Sequence, residues 1–335
     1  MSSAIIVHPK FDGIWPFAAD YAYARWRAQG EVAFVRMDST DVRPVHEVLE
    51  APERVERLIA LGVPFTAASL VALPQLRELI CTDPVGEALP TQIAAQGVRR
   101  VTHPSEGFWG QSVAEFGLAL TLCGLRRIPQ THHEIIQNPA PWNYKPEDGV
   151  GQAGARGQQF GDDPRFTNGT VEGKRVRIVG AGNIASRYAG FTRMLGADVA
   201  AWDPFASEPC FHRAGARREW HLDALMADAE IFAPMVPLTE QTRGLVTATH
   251  IDALPQGCLV VLITRADICD MPALRRRVLA DELALAADVF DVEPLPLEDP
   301  LLGRHNVVHT PHNAGRTRTA NERWAEALLV QFDPR

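Results

Sequence analysis

Short apolar runs alternate with amphipathic stretches along most of this chain. Residues 4–7 read as a first strand, 21–29 as a helix closed by Gly30, and 31–36 as a second strand. Weaker strand and helix signals alternate through 55–71. A strand at 76–82, a short helix at 90–96 stopped by Gly97, and a strand at 98–102 complete the first set. Strands alternating with helices predict parallel pairing in a doubly wound sheet. Residues 112–133 are helical in pattern and apolar around most of the circumference, which predicts a helix buried between domains or subunits. At 143–170 the pattern lapses into Gly, Pro, Gln and charge. That reads as an excursion, either a surface loop or an arm packed on a second subunit. Strands at 176–179, 197–202, 230–233, 258–263, 283–288 and 306–309, with helical patterns between them, predict a second doubly wound domain. A last helix at 319–330 returns to the first. The expected division is 1–110 plus 316–335 against 111–315, with ligands in the cleft between.

One junction carries a recognisable chemical device. The strand at 176–179 runs into Gly180-Ala181-Gly182-Asn183-Ile184-Ala185, then a helical pattern ending at Gly196, then a strand delivering Asp203. Gly180 permits the tight strand-to-helix turn. Gly182, lacking Cβ, lets backbone approach a pyrophosphate, which the helix N-terminus stabilises. Ala185 only packs helix against strand. Asp203 lies about 20 residues on, where a carboxylate accepts the ribose hydroxyls and repels a 2′-phosphate. This predicts NAD (NADH) rather than NADP. The alternative is a glycine-rich turn in some other α/β fold.

Composition changes the picture only by exclusion. The 335 residues carry a net charge of −8, which argues against nucleic acid or an anionic membrane as partner. The one basic run, Arg275-Arg276-Arg277, reads as a solvated helix face. No signal peptide or membrane-spanning run is legible. Five scattered cysteines without CxxC spacing suggest reduced thiols in a cytoplasmic protein. His132-His133 point to different helix faces, so no metal is expected.

Three polar residues follow successive predicted strands of the second domain: Arg265, Glu293 and His312. Ligands of open α/β sheets bind beyond the carboxyl ends of strands. An arginine fork binds a carboxylate and polarises the neighbouring carbonyl. A histidine gives or takes the hydroxyl proton during hydride transfer, and a carboxylate beside it fixes the tautomer. Each residue alone is ordinary; together, behind a dinucleotide fingerprint, they predict catalysis.

From residue 112 to the C-terminus, GAGNIA, AWDP, VPLTEQTRGLV, TRADICDMPAL, AADVFDVEPLP and TPHNAGRT resemble the D-isomer-specific 2-hydroxyacid dehydrogenases. The resemblance implies a homodimer that reduces a 2-oxo acid to an (R)-2-hydroxy acid. It implies Arg265 as substrate-binding arginine, His312 as acid/base and Glu293 as its partner. It places Gly180, Gly182, Asn183, Ile184, Asp203, Val236, Pro237 and Thr242 on the adenosine and pyrophosphate side. Thr264 and Asp288 fall on the nicotinamide side, and Ala314 is a further expected cofactor residue. Leu262 and Ala266 depart from the family's Asn and Gly. The loop at 82–87 departs further. Where the family has a glycine-rich turn that holds the substrate carboxylate, this chain has Asp83, Pro84, Val85, Gly86 and Glu87. Asp83, Val85 and Gly86 are the expected substrate contacts. Asp83 and Glu87 either face solvent or bind hydroxyl or amino groups of an unusual substrate. The loop at 61–66 offers no Arg or Lys, which argues against phosphorylated substrates. Phe108 and Trp109 either line the pocket or pack a seam. Two other readings stand beside the dehydrogenase: a catalytically weak NAD(H)-sensing protein or corepressor on the same scaffold, and a dehydrogenase for an unusual substrate such as phosphite.

Overall fold

A computed structural model describes residues 2–103, 107–142 and 161–332. The stretch at 143–160, most of the expected excursion, lies outside the described residues. The chain divides into two compact units, Met1–Phe108 with Arg316–Arg335, and Trp109–Gly315. Both are parallel α/β sheets.

The first unit holds β1 (Ser2–Val7), β2 (Val32–Arg36), β3 (Val55–Leu61), β4 (Glu78–Cys81) and β5 (Arg99–Arg100) in the order β2-β1-β3-β4-β5. β3, the strand whose signal was weakest in sequence, lies at the centre of the sheet. Glu56 and Arg57 blur its apolar run. Arg57 is nonetheless buried: its Nε lies 3.2 Å from a Glu78 carboxylate oxygen, and its guanidinium lies over the Trp26 and Phe332 rings at 4.7 and 4.9 Å. Paired and stacked in this way, a cation tolerates a buried strand position. The helix Arg318–Leu329 closes this unit against Ala18–Arg27 through Tyr21 Oη donating to Glu326 at 2.9 Å and Phe17 N–H donating to Asn321 at 3.2 Å.

The second unit holds β6 (Arg175–Val179), β7 (Asp198–Trp202), β8 (Arg217–Arg218), β9 (Ile231–Pro234), β10 (Leu259–Leu262), β11 (Ala284–Ala287) and β12 (Val307–His309). Their order is β12-β11-β10-β9-β6-β7-β8. The order reverses between β6 and β9, which makes that junction the switch point where a ligand crevice opens.

The single helix expected at 112–133 is two helices, Gly110–Arg126 and Ile128–Gln137, joined at Arg127 with φ 51°. Pro129 explains the break: it has no N–H to continue the ladder, and its ring collides with the carbonyl four residues back. The first helix is buried along one face; the second buries none of its residues. The described end of the excursion is fixed to this unit, with Phe166 buried and Thr167 N–H donating to Gly257 O at 2.8 Å.

The basic run is not a solvated face. Arg276 is exposed, but Arg277 is buried, donating to the carbonyls of Ile251 and Leu254 at 2.7 and 2.8 Å, and Arg275 is half-buried. Helical spacing puts one of three consecutive residues outward and turns its neighbours inward. All five cysteines are free. Burial pushes the Cys81 and Cys269 thiols up to about 11 and about 12, and Cys258 is raised for the same reason. No helix of the described residues is long and apolar enough to cross a membrane, and none of their His, Cys, Asp and Glu side chains gather in a group fit for a metal ion.

Candidate active site

The turn after β6 is built by its glycines. Gly180 has φ +112°, and a Cβ there would lie 2.9 Å from the Met235 carbonyl at the end of β9. Only glycine gives both the conformation and the clearance. Gly182 is the N-cap of the helix Asn183–Met194 and caps it with no side chain. A Cβ at Gly182 would meet nothing within 4 Å, so the backbone faces open space. The first N–H groups of a helix have no intrahelical acceptor, which is what an anion-binding terminus requires. Asp203, at the end of β7, accepts from Ala181 N–H at 2.8 Å through one oxygen. The other accepts from Phe205 and Ala206 N–H, both at 3.0 Å. These bonds fix the carboxylate beside the glycine turn and leave lone pairs on it. The donor set, the glycine clearance and the fixed acid fit a nicotinamide dinucleotide.

The other expected cofactor residues also make contacts within the protein. Asn183 turns its amide toward the start of the helix Gly110–Arg126: a Cβ on Gly110 would lie 2.6 Å from Asn183 Nδ2. Ile184 packs on the core. Val236 and Pro237 follow β9, where Thr242 Oγ1 donates to Pro237 O at 2.6 Å and holds the turn. The side chains of Thr264, Asp288 and Ala314 are buried. Thr264 Oγ1 donates to Pro234 O at 3.1 Å. Asp288 accepts from Thr310 Oγ1 at 2.6 Å and from the N–H groups of Asn313 and Ala314 at 3.1 and 2.9 Å. Its carboxylate therefore pins the loop that carries His312.

That loop is conformationally demanding. His312 has φ 53°, in the left-handed region that a residue with Cβ rarely enters. It is held there with Nδ1 2.7 Å from Glu293 Oε2. The other Glu293 oxygen accepts from Phe290 N–H at 2.8 Å. With its carboxylate so engaged, Glu293 selects the imidazole tautomer protonated at Nδ1. Nε2 has no partner among the described residues. Arg265 follows β10, is exposed, and donates from Nη1 to its own neighbour's carbonyl, Thr264 O, at 2.7 Å. The remaining guanidinium N–H groups have no acceptor among the described residues and are available to a carboxylate. The structure thus brings Glu293 and His312 into contact and sets Arg265 at the carboxyl edge of the same sheet.

In the first unit, Asp83 is not bare. Lys10 Nζ lies 2.9 Å from its Oδ2. The Lys10 stem crosses Gly62, whose φ is +68° and whose Cβ would sit 3.2 Å from Lys10 Cε. The loop at 61–66 has no cation of its own, but the residues after β1 supply one. Lys10 was legible only as a residue after a strand end. Val85 packs partly on the core and Gly86 is exposed.

Residues 149–314 match the family model described as D-isomer specific 2-hydroxyacid dehydrogenase, NAD binding domain. The chain belongs to the D-isomer-specific 2-hydroxyacid dehydrogenase family. Among relatives in this family, a D-3-phosphoglycerate dehydrogenase of Archaeoglobus fulgidus is 30% identical over 210 residues, which are 62% of this chain and 36% of that protein. A glyoxylate reductase of Korarchaeum cryptofilum is 25% identical over 291 residues, 85% of this chain and 82% of that one. The chain spans between about a third and a half of the length of the first phosphoglycerate dehydrogenases it matches, at 36%, 36% and 47%. Among solved structures, a phosphoglycerate oxidoreductase from Rhizobium etli matches with TM-score 0.70 at 20% identity, covering 98% of this chain and 93% of that one. D-2-hydroxyisocaproate dehydrogenase matches with TM-score 0.67 at 19% identity, covering 98% and 94%. These likenesses show the dehydrogenase family's fold.

Proposed function

We propose that this chain is an NAD-dependent oxidoreductase that interconverts a 2-oxo acid and an (R)-2-hydroxy acid. The observation that carries this reading is the His312–Glu293 pair at 2.7 Å, with Nε2 left open behind a dinucleotide turn. Gly180, Gly182 and the helix after them would hold the pyrophosphate. Asp203 would hold the adenosine ribose and disfavour a 2′-phosphate, hence NAD over NADP. When bound, the nicotinamide supplies the hydride. Arg265 orients the substrate carboxylate and polarises its carbonyl. His312 Nε2–H donates a proton to the carbonyl oxygen in reduction and takes it back in oxidation. Glu293 stabilises the imidazolium that donates.

Asp83, Val85 and Gly86 are the proposed specificity element. Lys10 bears on the substrate class: already paired with Asp83, it is not itself free for a phosphate. The complete acid/base set argues against a sensor with little turnover. A homodimer is inferred from the exposed apolar helix Ile128–Gln137, and a cytoplasmic setting from five unpaired thiols.

The test is NADH oxidation against a panel of 2-oxo acids, with a parallel NADH-binding titration. Turnover with one or more members is expected, and His312→Ala should lower kcat by about 10²–10⁴. Tight NADH binding without turnover of any member would overturn the dehydrogenase reading in favour of a sensor.

A further inference from the structure

We propose that Arg275 is a positioning residue for the acid/base pair: its single guanidinium holds both ends of the loop that presents Glu293 to His312. The proposal rests on the reading of Glu293 and His312 given above.

Arg275 stands on the helix Met271–Leu279, whose start is fixed by Asp270 accepting from Ala273 N–H at 2.9 Å. From there Nε and Nη2 reach Asp291, the second residue after Val289, at 3.1 and 2.7 Å. Nη1 reaches the two carboxylate oxygens of Asp299 at 3.1 and 2.9 Å. Asp299 is the more buried of the two acids and also accepts from Leu301 N–H at 2.9 Å. Glu293 lies between these anchors, two residues after Asp291. No regular element runs through 288–306. The segment therefore takes its shape from specific bonds, and those of one arginine fork are the main charged ones. A fork donating to two carboxylates on different sides is a task the planar guanidinium performs and an ammonium does not.

The arrangement is also electrostatically specific. Asp291 is two residues from Glu293. Without a cation between them and the helix, Asp291 and Asp299 would repel Glu293 and each other. The neighbouring cations are committed elsewhere, Arg276 to Asp252 and Arg277 to Glu282. Asp288, on the other side, is engaged by the His312 loop. Arg275 is thus the charge that lets Asp291 and Asp299 share this loop with Glu293 turned to the imidazole.

The test uses the intact protein and two readouts. In Arg275→Met, kcat for 2-oxo acid reduction should fall about tenfold or more with a smaller change in KM, since the proton donor and not substrate binding is disturbed. Reduction needs a protonated imidazole, and loss of the Glu293 contact disfavours that form. The pH at which reduction falls to half should therefore move to lower pH by roughly half a unit or more. Arg275→Lys should recover part of both effects, and Asp291→Asn should reproduce them in milder form. The second readout is the titration of the His312 imidazole by NMR in cofactor-free protein, expected to shift in the same direction. A lower unfolding temperature with an unmoved pH profile and an unmoved imidazole titration would make Arg275 merely structural and overturn the proposal. Absence of turnover with every 2-oxo acid would remove the proposed function, while the NMR titration would still decide whether Arg275 governs the pair.

Discussion

At Gly180 a single missing carbon decides whether the turn can exist. A Cβ would press on the Met235 carbonyl at 2.9 Å while φ stays at +112°. Gly180→Ala is expected to cost about 1–3 kcal/mol of stability and to weaken NADH binding. Urea unfolding and fluorescence titration measure the two; wild-type values for both would show that β6 and β9 can part without penalty. Asp203 sits under the same turn, and its bond from Ala181 N–H ties cofactor choice to that geometry. Asp203→Ser should raise kcat/KM for NADPH relative to NADH by about tenfold or more, since it removes the charge that repels a 2′-phosphate. An unchanged ratio would place the selectivity elsewhere. These residues were legible because each answers a local demand: a turn, a close approach, a strand end. Arg275 was not legible. Its partners lie 16 and 24 residues away in sequence, and only the fold sets them around one guanidinium.

Elements were legible where apolar periodicity was clean. β6, β7 and the helix between them follow directly from it. β3 was obscured by Arg57, whose burial depends on Glu78, Trp26 and Phe332, all distant in sequence. The break at Arg127 had a visible cause in Pro129, outweighed by the continuous apolar pattern around it. The segment after β5 holds a further device that no pattern reveals. His103 packs against the rings of Phe108 and Trp324, at centroid distances of 4.3 and 4.6 Å, and neither ring nitrogen has a hydrogen-bond partner among the described residues. Burial lowers its pKa to about 4 from 6.5. As pH falls through 6.5 the unfolded chain takes up this proton, whereas the folded unit does not until pH 4 is reached. Stability from this group is therefore complete above pH 6.5 and is lost progressively as pH falls to about 4. Urea midpoints from pH 8 to pH 4 should decline more steeply for wild type than for His103→Phe. Parallel curves would show that His103 is solvated.

For the whole molecule, composition argued against some classes of partner but could not say which surfaces meet another chain. The helix Ile128–Gln137 offers one candidate surface. It buries none of its own residues, and Ile128, Ile135 and Ile136 are exposed. Their spacing of seven and eight residues puts them on one stripe, the face that an amphipathic helix normally turns into a core. The helix therefore carries a core-type face without a core among the described residues. Apolar patches of this kind mark interaction surfaces, and the homodimer proposed above would pair this stripe with its copy about a twofold axis, as isologous dimers do. Ile135→Glu with Ile136→Glu would place charges in the middle of that contact. Light scattering coupled to size exclusion should give a dimer for the wild type and a monomer for the double variant. NADH affinity should change little, because the substitutions lie far in sequence from the glycine turn and add no charge to it. A wild type that runs as a monomer at micromolar concentration would refute the dimer.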